Sequence, residues 1–176
     1  PNNIIIDNAN VSFSKGYRYY INGKSGTGKT TLINLLTGKV DFEYGDILFD
    51  NISLKKLDVE SKMKLISQVT QEPILFNDTI KNNVVLGKQY DSQKLDSICK
   101  CCCIYNDIKN LDDGYDTVIS EKGGNFSGGQ KSRLCLARAL YQDKPILIID
   151  EVTSGLDLDT ETKLRDNLIK EISNKI

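Results

Sequence analysis

Gly23-Lys24-Ser25-Gly26-Thr27-Gly28-Lys29-Thr30 combines three glycines with a lysine and a hydroxyl at its end, and Thr31 follows. The spacing fits the phosphate-loop pattern, Gly-x-x-x-x-Gly-Lys-Ser/Thr, at every fixed position. Glycines let a backbone curl tightly enough to point successive N–H groups inward. Together with the positive end of a following helix, those groups form a seat for phosphate oxygens. Lys29 is long enough to reach the β- and γ-phosphates. Thr30 stands where a hydroxyl would bind Mg2+, and Thr31 is placed to donate to the α-phosphate. Such a loop needs a metal-holding acid at the end of a neighbouring strand. The run "ILIIDE", Ile146 to Glu151, offers one. Asp150 is the candidate for Mg2+, through water, and Glu151 is then positioned to take a proton from an attacking water. Each motif has a plainer reading: a glycine turn capping an ordinary helix, and a buried strand that happens to end on acids. The two occurring together favour phosphate chemistry.

The flanking elements suit that chemistry. "RYYIN", Arg18 to Asn22, reads as a short strand running into the loop. "GKTTLINLLTG" reads as a helix with Leu32, Leu35 and Leu36 at helical spacing and Gly38 as its stop. "NIIIDNANVSF", ending at Phe13, has the apolar, turn-punctuated character of a strand-pair edge, and "GDILFDN" that of a strand leaving a turn. Residues 81–110 are polar and helical in pattern. Leu134, Ala137 and Leu140 form one stripe of a strong helix. "KPILIIDE" is a buried strand with Pro145 at its start. Leu164, Leu168 and Ile172 mark a last helix. Strands alternating with helices predict an α/β fold with a largely parallel sheet.

With 176 residues and a net charge of −1, the chain has the size of one domain, and no basic stripe argues for nucleic acid. No apolar run approaches the ~20 residues that span a bilayer. The sequence opens on Pro1, with no secretory leader pattern, and reads as a piece of something longer. Cys99, Cys101, Cys102 and Cys103 crowd together, with Cys135 apart. On a helix Cys99 would share a face with Cys102 and Cys103, while Cys101 would point elsewhere. No histidine or second cysteine pair completes a tetrahedral metal site, so small helix residues in a reducing compartment are the favoured reading.

"NFSGGQKSRLCLARAL", Asn125 to Leu140, lies between the loop and the acidic strand end. That order of motifs resembles an ATP-binding cassette (ABC) domain over nearly the whole chain. Ser127-Gly128-Gly129-Gln130 looks like the family's signature motif. Its physical logic is a second anion seat, since Ser127 is a good N-cap and the glycines expose N–H groups at a helix start. In the family two domains pair head to tail, and the signature of one closes over the γ-phosphate held by the loop of the other. In "VTQEPILFNDTIKNNV", Gln71 corresponds to the glutamine that senses Mg2+ and the lytic water, in a segment that also contacts the transmembrane partner. This wording, and "LDDGYDTVISEKGGNFSGGQ" with Glu121 at a cross-talk position, are similar to exporters. "EVTSGLD" resembles the loop that crosses the dimer interface, with Asp157 in its usual place.

The resemblance implies a P-loop NTPase core with a mostly parallel sheet, an antiparallel β edge and a small helical lobe. Residues 1–80 and 111–176 would form the catalytic core and 81–110 the helical subdomain. It implies a motor that binds and hydrolyses ATP with Mg2+ at the cytosolic face of a membrane. Its partners would be a second ABC domain, identical or different, and transmembrane domains. The competing expectation is a soluble ABC-type ATPase of DNA repair, chromosome structure or translation; such proteins carry long insertions or basic arms that are not seen here. A nucleotide-gated switch without turnover is disfavoured because Glu151 is present.

The sequence also departs from the family. Phe126 stands where Leu is usual, and Gly155 where Ala is. Lys15 falls in the slot of the adenine-stacking aromatic, with Tyr17 close by. The stretch from Phe13 to Gly23 is about one strand shorter than the family pattern, as though residues near Gly16 were missing. The chain has no histidine, so the family's switch histidine is expected beyond Ile176, and this piece alone is expected to hydrolyse ATP slowly or not at all.

Overall fold

A computed structural model describes residues 5–120, 123–150, 152 and 155–171. The phosphate-loop pattern leads into helix α1 (Lys29–Leu36). This helix closes as its glycine stop predicts. Gly38 takes φ +68° and donates to the Leu35 carbonyl, while Lys39 N–H reaches back to Asn34, a Schellman end. Strands β1 (Leu48–Phe49) and β2 (Ile52–Ser53) pair antiparallel, Leu48 opposite Ser53. Asp50 and Asn51 between them both have positive φ, the signature of a two-residue hairpin turn.

Helix α2 (Val59–Leu65) starts at Asp58, whose carboxylate accepts from Ser61 N–H at 2.7 Å. It runs without a break into strand β3 (Ile66–Val69). Helices α3 (Ile80–Val85), α4 (Ser92–Cys101) and α5 (Tyr105–Lys109) occupy the predicted helical region. They are followed by α6 (Gly128–Tyr141), strand β4 (Ile146–Ile149) and α7 (Leu158–Glu171). β3 and β4 are parallel, Ile66 opposite Ile146 and Val69 opposite Ile149. Among the described residues no helix is long and apolar enough to cross a membrane.

The core is built around α6. Leu134, Leu136 and Ala137 are wholly buried, and Leu140 and Tyr141 nearly so. Sequence periodicity predicts one apolar stripe on this helix, but its apolar residues are covered on several sides, by α3, α4 and β3. Each such leucine contributes about 1.5–3 kcal/mol from burial. Tyr141 places its hydroxyl between the Gln89 carbonyl and the Asp91 N–H, both at 2.9 Å, and so pins the α3–α4 connection. Phe126, the Leu-to-Phe departure, is buried in the same cluster.

The structure corrects the sequence expectation in three places. Residues 5–13 and Arg18–Asn22 form no strand. The Phe13–Gly23 stretch instead turns on itself. Tyr17 N–H reaches the Ser14 carbonyl, Ser14 N–H donates to the Tyr19 hydroxyl at 2.7 Å, and the Tyr19 ring sits edge-on to Phe13. A strand needs a partner for its backbone groups, and a link this short cannot make the return a paired strand requires. Tyr20 is accordingly 86% exposed. Strand β4 is half-buried rather than enclosed, with Ile149 38% exposed, because β3 flanks it on one edge only among the described residues. In the cysteine cluster, α4 ends at Cys101, and Cys103 lies beyond it at φ +53°. Cys99, Cys101 and Cys102 are all buried, Cys101 included. Burial pushes the Cys99 thiol up to about 11, so it stays protonated and packs as a small apolar group.

Candidate functional site

The phosphate-loop residues form a tight turn. Gly26 and Gly28 take φ +80° and +93°, a region that side-chain-bearing residues enter at a cost. Thr27 folds back, its hydroxyl donating to the Lys24 carbonyl at 2.8 Å. The Lys29 ammonium lies across the loop, donating to the carbonyls of Gly23 at 2.7 Å and Lys24 at 2.9 Å. Helix α1 begins at Gly28 with no side-chain cap, so its first-turn N–H groups, those of Thr30 and Thr31 among them, are open to an anion. Ser25 completes the exposed loop. At the other end of α1, Lys39 donates to Gln68 of β3 at 2.6 Å, tying the loop-bearing helix to the sheet.

Parallel pairing brings the other phosphate-side candidates together. The β3–β4 register extends one step further through Asp150 N–H, which donates to the Val69 carbonyl at 3.0 Å. Asp150 therefore leaves its strand beside Thr70, and Gln71 follows immediately. Asp150 and Gln71, 79 positions apart by their numbers, thus lie at the same ends of the paired strands. Glu151, the expected base, lies outside the described residues, as does Glu121.

The third group of candidates is at the start of α6. Ser127 caps the helix. Its hydroxyl accepts from Gln130 N–H at 3.2 Å, and the Gln130 amide oxygen accepts from Ser127 N–H at 2.9 Å, a reciprocal capping box. The Ser127 hydroxyl keeps its own proton to donate. The N–H groups of Gly128 and Gly129 have no carbonyl within the helix, as at any helix start. Sequence reasoning missed what holds this turn. Asp107 on α5 accepts from the Gln130 side chain at 2.9 Å and pairs with Arg133 at 3.2 Å, and Arg133 also donates to the Cys103 and Gly129 carbonyls. No local pattern around Asp107 marks it; its partners lie more than a helix away in sequence.

Gly129 faces the segment before α7. A Cβ there would sit 2.8 Å from Leu156 Cδ2 and 3.4 Å from the Gly155 carbonyl oxygen. The signature-like turn is thus packed against the loop that holds Asp157. Asp157 itself caps α7, accepting from Thr160 N–H at 2.9 Å and from the Thr160 hydroxyl at 2.7 Å. Those bonds hold its carboxyl below the usual range. Of the adenine-slot residues, Lys15 lies in the turn after Phe13, and Tyr17 is exposed, its ring tilted 6.5 Å from Tyr19.

Comparisons with known proteins agree on one family. A lipid A-core flippase of Hahella chejuensis, described as ATP-dependent, is 40% identical over 161 residues, which is 90% of this chain and 28% of that protein. The ABC multidrug transporter mdr1 of Aspergillus fumigatus is 40% identical over 164 residues, 92% of this chain and 12% of that protein. A bacterial Atm1-family ABC exporter, solved with ATP bound, superposes at a TM-score of 0.81 and 35% identity, over 86% of this chain and 27% of that one. The chain spans under a third of the length of these relatives. The family model described as ABC transporter matches residues 6–154, from before the phosphate loop to beyond the acidic strand end, and the chain belongs to that family, with the α/β P-loop fold of its nucleotide-binding domain.

Proposed function

We propose that this chain is the ATP-hydrolysing motor domain of an ABC exporter, working at the cytosolic face of a membrane. It would pair head to tail with a second ABC domain and drive transmembrane domains. The observation that carries the reading is the β3–β4 register, which sets Asp150 and Gln71 at adjacent strand ends. Loop residues Gly23 to Thr31 bind the phosphates, with Lys29 exchanging its loop carbonyls for phosphate oxygens. The Thr30 hydroxyl, the Asp150 carboxylate and the Gln71 amide are an all-oxygen set of the kind a hard divalent cation takes, and they would hold Mg2+. Bound there, the cation would neutralise charge building on the phosphates. Glu151 takes the proton of the attacking water. Ser127, Gly128 and Gly129, held by Gln130, donate to the γ-phosphate seated on the opposite domain. Asp157 shapes the loop at that interface. Residues 81–110 serve as the helical subdomain, whose Asp107 braces the signature turn, and 1–80 with 111–176 as the core.

The reading is tested by Glu151→Gln in the full-length protein. ATP binding should persist, ATP turnover should fall by about 10²–10⁴-fold, and the variant domain should shift from monomer to dimer in sedimentation with Mg-ATP. Unchanged turnover would remove Glu151 from the role. A persistent monomer alongside lost turnover would point to a different cassette as the partner.

A further inference from the structure

Residues 73–78, between β3 and α3, belong to no strand or helix, yet their backbone is tightly held. Side chains do the holding. Asn83 of α3 is 1% exposed, and its amide is fully engaged. Its oxygen accepts from Phe76 N–H at 2.8 Å, and its nitrogen donates to the carbonyls of Phe76 at 2.9 Å, Thr79 at 3.0 Å and Asp78 at 3.3 Å. Arg138 of α6 completes the arrangement. Its guanidinium donates to the Ile74 carbonyl, the Asn83 carbonyl and the Asn83 amide oxygen, each at 2.8 Å, and its carbon lies 4.9 Å over the Phe76 ring. Cys135, one turn earlier on α6, also reaches the Ile74 carbonyl, at 3.5 Å.

The three hydrogen bonds of Arg138 among the described residues all go to neutral oxygens. A half-buried cation spent on backbone carbonyls costs desolvation that an ion pair would offset, so its fork geometry has to serve another end. The geometry points to Arg138 as a positioning residue for Gln71. Val69 is fixed in β3, and Ile74 is fixed by Arg138. Gln71 lies between those anchors. Three residues of chain span at most ~10 Å, so the Ile74 anchor limits how far Gln71 can stray from the Asp150 strand end. Because Arg138 is on the helix that begins with Ser127, the same contact makes the placement of Gln71 depend on where α6 stands. This rests on the proposed function for the meaning of Gln71, while the mechanical link stands on the hydrogen bonds alone.

The test uses the full-length protein with Arg138→Gln and Arg138→Lys, reading amide hydrogen exchange and the Mg2+ dependence of ATP binding. With Arg138→Gln, exchange at residues 74–78 should rise about ten- to a hundredfold, as expected for losing hydrogen bonds from a charged donor. Protection in α1 and the core of α6 should be unchanged. The Mg2+ concentration giving half-maximal tightening of ATP binding should rise several-fold, with binding in EDTA unaltered. Arg138→Lys, which keeps the charge but loses the fork, should fall between wild type and Arg138→Gln. If Arg138→Gln loses protection everywhere, Arg138→Lys decides by the same local readout. Unchanged exchange at 74–78 overturns the link. Raised exchange with an unaltered Mg2+ requirement overturns the positioning of Gln71. Should the wild-type protein bind no ATP, the ATPase reading fails, and the exchange measurement still decides the link.

Discussion

The two proposed phosphate seats of this chain are built in opposite ways. The loop before α1 is a backbone device: left-handed glycines, an uncapped helix start, and a lysine that satisfies itself on the loop's own carbonyls. The start of α6 is a packed device, with a closed capping box, an Asp107–Arg133 brace from the next helix, and a glycine pressed against Leu156. Helix α1 buries Ile33 alone and stands outside the main core cluster among the described residues, whereas α6 is that cluster's centre. A loop that must wrap a ligand can be adaptable. A helix start that must present donors to a ligand held elsewhere has to be rigid before the ligand arrives.

The largest effect that sharpens this contrast is on stability. Leu136→Ala leaves a cavity in the fully buried face of α6 and should cost about 2–5 kcal/mol in denaturant unfolding. A cost under about 1 kcal/mol would mean that α6 is not the organising helix. Lys29→Ala should act in the other direction of the comparison. It should weaken ATP binding by roughly ten- to a hundredfold, the worth of a charged hydrogen bond, and change unfolding by less than about 0.5 kcal/mol, because the lysine's partners are exposed loop carbonyls. Binding by calorimetry and unfolding of the same sample separate the two.

Much of this division can be read in the sequence, though unevenly. The loop, α1, α6, β4 and α7 are legible because their periodicity and punctuation are local: Gly38 after α1, Ser127 before α6, Pro145 before β4. β3 is not, since α2 passes into it at Ile66 with no glycine or proline between. The strands expected over residues 3–13 and 18–22 have suitable residues and, among the described residues, still do not form, because strand pairing is a tertiary property and the short link removes the geometry for it. Among candidate site residues, those named by motif can be proposed from sequence, but their supports cannot. Asp107 lies 23 positions from Gln130, and Arg138 lies 55 from Asn83, and nothing local at either end announces the partnership.

Smaller effects probe the signature turn itself, where adjacent glycines differ in why they are glycine. Gly129→Ala should destabilise by about 1–3 kcal/mol, since its Cβ would meet Leu156 Cδ2 at 2.8 Å with the Gly155 carbonyl behind it. Gly128 is the informative neighbour. A Cβ there meets nothing within 4 Å among the described residues, and its backbone is not in the left-handed region. Within this chain, therefore, alanine should be tolerated, and a propensity gain of at most about 0.5–1 kcal/mol at this first helical position could even raise stability. If the open face of Gly128 exists for a phosphate presented by a second domain, that same methyl group occupies the approach. Gly128→Ala in the Glu151→Gln background should then keep ATP binding and stability but lose the ATP-driven dimer in sedimentation. Dimerisation unchanged by the methyl group would mean that the α6 start is a packed helix end and nothing more, leaving the loop before α1 as the only phosphate seat.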